Sequence, residues 1–279
     1  MARRARPRVA ANARLPASHR MRETGDRQFV AALARGLAIL RCFRIGEHYL
    51  GNQEIAKRAG LPKPTVSRLT YTLTRMGFLQ HSPSREEYSL GPGVLVLGHA
   101  YLAAMKVREA ARPLMQELAN YAQATVALAE SDGQRMVIVE ICHGSPTYRL
   151  RVEVGERVPH NSTALGRAYL AGVPSDQLGP WLEGLSREMP PGEGEQVANE
   201  IMRSLREYQK HGFVFSCGDW SPETFAVGVP LVSADSTRVL SLSCSGPVFD
   251  MTRKRLTTEI GPRIVQLRDK VYESVQGFF

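Results

Sequence analysis

Long hydrophobic runs and closely spaced cysteines are both missing from this chain of 279 residues. No stretch of about 18 uncharged apolar residues occurs, so the sequence predicts no membrane-spanning helix and no membrane partner. The arginine-rich N-terminus has no apolar segment behind it and does not read as a secretory signal. The four cysteines, Cys42, Cys142, Cys217 and Cys244, contain no C-x-x-C pair. Their spacing favours buried, reduced thiols in a cytoplasmic protein over a disulfide framework or a zinc site.

Familiar catalytic motifs are missing as well. The chain has no G-x-S-x-G, H-E-x-x-H or G-x-x-x-x-G-K-[ST] motif, and its seven histidines show no metal-ligand spacing. The glycine-rich stretch GPGVLVLG, residues 91–98, lacks the spacing of a dinucleotide-binding loop. His160 stands beside Asn161 and Ser162, and a loop histidine without a placed partner is expected to be solvated. The sequence therefore predicts no catalytic residue, no metal and no cofactor.

Positive charge is concentrated in the first third of the chain. Residues 1–28 hold eight arginines against two acidic residues, and residues 29–90 hold nine basic residues against four acidic ones. The rest of the chain, 91–279, holds 19 basic and 21 acidic residues. This asymmetry indicates a polyanionic partner for the N-terminal third, most often nucleic acid. For the first 28 residues alone, a solvated tail with incidental arginines is an equal alternative.

Hydrophobic periodicity predicts three short helices after this basic tail. The first spans 30–43, the second begins at the N-cap Gly51 and stops at Gly60, and the third runs from Pro64 to Met76. The segment that follows predicts a strand (78–80), a turn (82–85) and a returning strand that ends at Leu90. Three helices with a short turn between the last two, followed by a hairpin, are typical of a winged helix-turn-helix.

The third helix separates apolar from basic and hydroxyl side chains. Val66, Leu69, Leu73 and Met76 share one side and are expected to face the core. The other side carries arginine, tyrosine and hydroxyl groups without any acid, which favours DNA over a merely polar surface. The predicted DNA contacts on this helix and on the turn of the hairpin are Lys63, Pro64, Thr65, Ser67, Arg68, Tyr71, Arg75, Ser84 and Arg85.

The remainder of the chain predicts a long helix and then alternating strands and helices, an α+β organisation. The predicted strands are 125–129, 135–142, 147–152, 225–232 and 238–245, and the predicted helices are 113–122, 163–171, 196–211 and 252–275. The expected domains are a disordered basic tail (1–28), a winged helix-turn-helix (29–90), a linker and dimerisation helix (91–110) and an α/β effector-binding domain (111–279).

Two separate parts of the chain resemble the IclR family of bacterial transcription regulators. The first is FVAALARGLAILRCF…EIAKRAGLPKPTVSRLTYTLTRMGFL…YSLGPGVLVLG, and the second comprises VGERVPHNSTALGRAYLAG, HGFVFSCGDWSPETFAVGVPLVS and LSLSCSGPVF. The resemblance implies a GAF-like C-terminal domain that binds a small effector, commonly a carboxylate or an aromatic-pathway metabolite. It also implies a homodimer joined through the linker helix, and often a dimer of dimers.

The resemblance places effector contacts at Ala164, Leu165, Ser216, Ala226, Ser243 and Ser245. Ser216 stands where the family often has an acid, and Glu223 where it often has glycine. Asp219 and Trp220 are therefore expected to supply polar and aromatic parts of the pocket.

The residues themselves allow such a pocket. Leu165, Trp220 and Phe225 can form an apolar wall, while Ser243, Ser245 and nearby backbone N–H groups can receive a carboxylate. Alternatively, the two serines simply alternate along a strand and point into a satisfied core.

Three functions remain open. The first is a regulator that binds a double-stranded DNA operator under the control of a small organic acid or aromatic effector. The second is a DNA-binding architectural protein whose C-terminal domain only oligomerises. The third is an enzyme fused to a DNA-binding head, which the missing motifs disfavour.

Overall fold

The computed structural model describes residues 28–145, 150, 152–188 and 192–279. The chain up to Ala100 and the chain from Tyr101 onwards form two compact units. The basic tail before Gln28 and most of the predicted strand 147–152 lie outside the described residues. In the described part of the chain, no helix combines the length and the apolar character needed to cross a bilayer.

The N-terminal unit has the predicted winged helix-turn-helix fold. Its elements are α1 (Ala31–Leu40), β1 (Leu50–Gly51), α2 (Asn52–Ala59), α3 (Lys63–Arg75), β2 (Leu79–Ser82), β3 (Glu87–Leu90) and α4 (Pro92–Ala104), the last of which extends past the boundary between the units. Gly60 ends α2 with φ +66°, a left-handed conformation that suits glycine and lets the chain turn into α3. The core beneath the helices consists of Ile39, Cys42, Leu50, Ile55, Ala56, Val66 and Leu79.

Three details of this unit differ from the sequence prediction. Helix α1 ends at Leu40 rather than at residue 43, because Cys42 and Phe43 pack into the core from the turn and so extend the apolar spacing beyond the helix. The wing contains a third strand, β1, which pairs with β3. Met76 is 62% exposed instead of facing the core, because it lies at the edge of the apolar side of α3, about 80° from the buried Val66.

The C-terminal unit contains a six-stranded antiparallel sheet with helices on both faces. Its helices are α5 (Lys106–Ala122), α6 (Ala164–Gly172), α7 (Ser175–Glu188), α8 (Glu193–His211), α9 (Arg253–Arg255) and α10 (Gly261–Ser274), with a π-helical turn at Leu256–Ile260. Its strands are β4 (Thr125–Ser131), β5 (Met136–His143), β6 (Arg157–Val158), β7 (Val214–Cys217), β8 (Thr224–Val232) and β9 (Val239–Pro247). They lie in the order β6-β5-β4-β9-β8-β7.

The two faces of this sheet carry side chains of different size. Large apolar residues on one face pack against α5 and α10; they include Val126, Leu128, Val227, Val229, Leu240 and Leu242. The alternate residues of the same strands are small and face α6; they include Ala127, Ala129, Ala226, Gly228, Ser241 and Ser243. Small residues on the second face allow α6 to approach the sheet closely.

Gly228 is the point of closest approach between β8 and α6. A Cβ atom on this residue would lie 2.5 Å from the carbonyl oxygen of Ala164, the first residue of α6. Only glycine fits at that distance without displacing backbone. Thr163 caps the helix, and its side-chain oxygen accepts a hydrogen bond from the N–H of Gly166 at 3.0 Å.

Several elements of the C-terminal unit were not expected from the sequence. Strands β6 and β7 and helix α7 were not predicted, and the single predicted helix 252–275 is interrupted by the π-helical turn. Pro113 was predicted to begin a helix but lies inside α5. Proline has no N–H group, so the Glu109 carbonyl has no helical donor at Pro113. Both residues are exposed, and water can therefore bond to this carbonyl. Ala111 and Met115, on the other side of the helix, pack into the core.

His160 was expected to be solvated and is instead 2% exposed. Its Nε2 atom lies 3.0 Å from the Ser131 hydroxyl, and its ring packs against Tyr169 and Trp181 at centroid distances of 5.3 and 4.8 Å. Burial lowers the pKa of His160 from 6.5 to about 4. The imidazole is therefore a neutral part of the packing around the start of α6.

Gly228→Ala should destabilise the C-terminal unit by about 1–3 kcal/mol, because the added methyl group overlaps the Ala164 carbonyl. Urea unfolding followed by circular dichroism measures the loss. Gly184→Ala is the matched control, since a Cβ atom at the exposed Gly184 on α7 would meet nothing within 4 Å. The control should be neutral or slightly stabilising. Equal stability of both variants would show that α6 does not need this close approach.

Acidification should destabilise the fold through His160. The folded-state pKa of about 4 is below the ordinary 6.5, so the unfolded chain binds the proton first. Stability is fully present above pH 6.5 and falls as the pH drops towards 4, by about 3 kcal/mol. His160→Gln should flatten this part of the profile of unfolding free energy against pH. His99→Gln, at an exposed position on α4, should leave the profile unchanged.

Candidate functional site

Helix α3 presents the predicted polar face to solvent. Ser67, Arg68, Tyr71 and Arg75 are all exposed, and Val66 is completely buried on the opposite side. In the described part of the chain, no residue accepts a hydrogen bond from the guanidinium group of Arg68 or Arg75. Both groups are therefore available to phosphate or base edges.

The beginning of α3 lies at the same surface. Lys63 and Pro64 are exposed and Thr65 is half-buried. The amine of Lys63 lies 3.4 Å from the side-chain oxygen of Gln53 on α2. Pro64 stands in the first turn, where its missing N–H group costs no helical hydrogen bond. The free N–H groups of this turn form an anion-binding end beside Lys63.

Two residues of this surface were missed by the sequence analysis. Asn52, the first residue of α2, donates a hydrogen bond of 2.6 Å to the hydroxyl of Ser67 and so fixes its position. Arg35 of α1 lines a surface depression together with Ser67, Arg68 and Tyr71, and its buried Nε atom has no partner among the described residues. Only the packing of α1 against α3 brings Arg35 there, so periodicity alone could not identify it.

The two predicted wing residues, Ser84 and Arg85, are exposed at the turn between β2 and β3. The Ser84 hydroxyl lies 3.3 Å from that of Ser82. The guanidinium carbon of Arg85 lies 4.9 Å from the centre of the Tyr49 ring. Arg85 is therefore positioned over an aromatic ring rather than extended freely into solvent.

A cavity lies between the small-residue face of the C-terminal sheet and the beginning of α6. Seven of the eight predicted effector contacts line it: Ala164, Leu165, Ser216, Trp220, Ala226, Ser243 and Ser245. The other lining residues are Ala127, Ile138, Leu150, Val152, Val158, Thr163, Ser221 and Thr224. The structure thus brings together residues from four segments that are far apart in the sequence.

Strand register explains why space remains here. Ser243 on β9 pairs with Ala127 on one side and Gly228 on the other. Ser245 pairs with Thr125 and Ala226, and Ala226 in turn pairs with Ser216. Two adjacent rows of small side chains therefore cross the sheet and leave room beneath α6.

One end of the cavity is polar. The hydroxyl of Ser216 donates to the Ser162 carbonyl at 2.7 Å, and that of Ser245 donates to the Thr125 carbonyl at 3.3 Å. In the described part of the chain, no partner is present for the Ser243 hydroxyl. The first N–H groups of α6, at Ala164 and Leu165, have no acceptor within the helix and carry its partial positive charge. Such an end is suited to a carboxylate.

Asp219 and Phe225 do not line the cavity. The carboxylate of Asp219 accepts hydrogen bonds from the Arg167 guanidinium and from the Cys217 N–H, both at 2.9 Å. Phe225 packs on the opposite face of β8, with the core below α5 and α10, because successive residues of a strand alternate between faces. The expected apolar wall of Leu165, Trp220 and Phe225 is therefore wrong in its last member; Ile138, Val152 and Val158 line the cavity instead.

The cavity is narrow, with a volume of about 40 Å³. Most of its described lining is buried, whereas Trp220 is 39% exposed and separates the cavity from solvent. A ring-sized molecule therefore requires movement of one wall.

Both parts of the chain match domains of one protein family. The IclR helix-turn-helix domain matches residues 32–83, and the description "Bacterial transcriptional regulator IclR C-terminal" matches residues 99–271. The chain is similar to the HTH-type transcriptional regulator TsaQ1/TsaQ2 of Comamonas testosteroni, with 32% identity over 243 residues. That alignment covers 85% of this chain and 86% of the relative.

Solved structures share the fold. An IclR family transcriptional regulator from Brucella abortus is 42% identical with a TM-score of 0.82, covering 91% of this chain and 95% of that one. An IclR homolog from Microbacterium hydrocarbonoxydans, complexed with 4-hydroxybenzoate, has a TM-score of 0.70 over 88% of this chain and 99% of its own. Its 18% identity supports the fold alone.

These matches cover both units, and the matched families and relatives are DNA-binding transcriptional regulators rather than enzymes. The chain belongs to the IclR family of bacterial transcriptional regulators.

Proposed function

We propose that α3 and the wing read a specific operator and that a small organic acid, bound in the cavity beneath α6, controls this binding. The observation that carries the proposal is the cavity itself, which has serine hydroxyls and a helix N-terminus at one end and apolar side chains around the rest. The regulated genes are proposed to belong to aromatic or organic-acid catabolism.

The DNA part of the proposal is supported by the composition of the exposed face of α3. Two arginines, a tyrosine and a serine share this face without an acidic residue. Arginine can take guanine bidentately in the major groove, and the hydroxyl groups can hold phosphates. The contacts proposed on α3 and the wing remain those predicted from the sequence, with Arg35 added beside Arg68.

The effector part is supported by the match between cavity and ligand class. A carboxylate can accept hydrogen bonds from Ser243 and the first N–H groups of α6, and from Ser245 once its hydroxyl turns away from the Thr125 carbonyl. An aromatic or short aliphatic body can contact Leu165, Ile138 and Trp220. The IclR homolog that holds 4-hydroxybenzoate supplies a first compound of this class to test.

We further propose a homodimer that forms through the linker region 91–110 and that assembles into a dimer of dimers. Leu95, Val96 and Leu97 on α4 are between 60% and 73% exposed, which is costly for a helix left in water. Two α3 helices of one dimer then reach successive major grooves of a near-palindromic operator, about one helical turn apart. Footprinting on the operator tests this arrangement, and protected half-sites without symmetry would contradict it.

Arg68→Ala should weaken operator binding by about 1–3 kcal/mol and relax specificity at one base pair, because a bidentate contact to that base is lost. Fluorescence anisotropy with the operator, with operators changed at single positions and with random DNA measures both effects.

Arg68→Lys separates the two possible roles of this side chain. Lysine keeps the charge and loses the bidentate geometry, so it should restore binding to random DNA but not the base preference. An equal loss of affinity for every sequence in Arg68→Ala would show that Arg68 holds a phosphate.

Ser243→Ala/Ser245→Ala should abolish effector binding, because the two β9 hydroxyl groups are removed from the polar end of the cavity. A thermal-shift screen against small aromatic and aliphatic carboxylates, starting with 4-hydroxybenzoate, should find a saturable rise in melting temperature in the unaltered protein. A ligand at 100 times its Kd adds about 2.7 kcal/mol to the stability of the folded state.

Ser241→Ala is the matched control, since Ser241 lies two residues away on β9, is fully buried and does not line the cavity. It should retain the full shift. A shift that survives in the double variant would place the ligand elsewhere. The absence of a shift with any compound would favour the alternative in which the C-terminal domain only oligomerises.

A further inference from the structure

The turn 218–223 between β7 and β8 contributes Trp220, the most exposed residue of the described cavity lining. It carries Trp220 and Ser221, both of which line the cavity. Trp220 is 39% exposed, whereas Ser243 and Ser245 behind it are each 5% exposed. Movement of this turn would therefore connect the cavity with water.

Backbone hydrogen bonds from Gly218 to Thr224 and from Val248 to Glu223 hold the two ends of the turn. The Asp219 carboxylate ties the turn to α6. Its Oδ2 atom accepts a hydrogen bond from the N–H of Cys217, at the end of β7, and another from Nη1 of Arg167, on α6. Both distances are 2.9 Å. The residue next to Asp219 is Trp220, so the ion pair with Arg167 fixes the backbone from which the indole extends across the cavity.

Arg167 is itself rigidly held. It is 4% exposed, its Nε donates to the Asn161 carbonyl at 2.8 Å, and its Nη1 also donates to the Phe215 carbonyl at 2.9 Å. A buried guanidinium needs a negative partner, since an uncompensated charge away from water is costly. Asp219 supplies that charge from a side chain that is 31% exposed.

We propose that the Arg167–Asp219 ion pair is a latch that holds the turn 218–223 closed over the cavity and that ligands enter when this turn moves outward. This inference rests on the proposed role of the cavity as the effector site. Arg167 acts as a positioning residue: it does not line the cavity, and it controls access to the cavity through Asp219 and Trp220. The closed cavity is too narrow for a ring-sized molecule, so such a molecule can enter only after the latch opens.

A thiol placed at the polar end of the cavity measures its opening without any effector. The parent protein for this experiment carries Ser243→Cys as the probe and Cys217→Ser to remove the half-buried native thiol near the turn. Iodoacetamide is the reagent, and peptide mass spectrometry locates the modification. The native Cys244 is the internal reference, because it is fully buried on the opposite face of β9 and reacts only when the unit unfolds.

Asp219→Ala should speed alkylation of the introduced thiol about tenfold relative to Cys244, since it removes a charged hydrogen-bond partner of the latch. Asp219→Asn should give a smaller increase, because its amide oxygen can still accept from Cys217. Glu223→Ala is the matched control. It removes a carboxylate from the same turn, and in the described part of the chain no side-chain partner is present for that carboxylate.

Equal alkylation rates in the parent and Asp219→Ala proteins would overturn the proposal. So would an equal acceleration by Glu223→Ala, which would show that general loosening of the turn is sufficient. Parallel acceleration at Cys244 would also reject it, by assigning the effect to unfolding. Because no effector is used, these outcomes are independent of whether the carboxylate screen finds a ligand.

Discussion

The close approach of α6 to β8 at Gly228 is the constraint on which the C-terminal unit depends. It places the first turn of α6 directly over the rows of small residues on β4, β8 and β9. A larger residue at this position would lift the helix and remove the polar end of the cavity. The same sheet can tolerate small residues on this face because its other face packs large side chains against α5 and α10. The main apolar core and the proposed ligand site therefore occupy opposite faces of one sheet.

The arginines of the two units have different surroundings. On α3 the arginines are left without acidic neighbours, which suits a surface that meets phosphate groups. In the C-terminal unit, by contrast, the buried Arg167 pairs with Asp219 and donates hydrogen bonds to two backbone carbonyls. The arginines on α3 can exchange their counterions for DNA phosphates. In the proposed latch, Arg167 instead keeps a wall of the cavity in place.

The sequence was most informative where a regular period governs side-chain direction. Helical spacing placed Arg68 and Tyr71 on the exposed face of α3, and strand alternation placed Ser243 and Ser245 on one face of β9. The sequence did not predict the surroundings of side chains that are positioned by tertiary contacts. Arg167 meets a carboxylate 52 residues away, and His160 is buried by aromatic rings from α6 and α7. The residues in these contacts are not separated by a helical or strand period, so a single sequence does not reveal that they meet.

The strands that carry the cavity also reach the helix that leads to the DNA-binding unit. Glu130 at the end of β4 accepts hydrogen bonds from Arg238, just before β9, at 2.6 and 2.7 Å, and another from the hydroxyl of Tyr101 on α4. Burial and the Glu130 carboxylate raise the pKa of Tyr101 to about 12, so this hydroxyl keeps its proton and remains a donor at neutral pH. A ligand can shift a regulator only by the difference in its affinity for two arrangements. A ligand-induced shift of β4 that includes Glu130 would therefore either carry the end of α4 with it or break the bond between Tyr101 and Glu130.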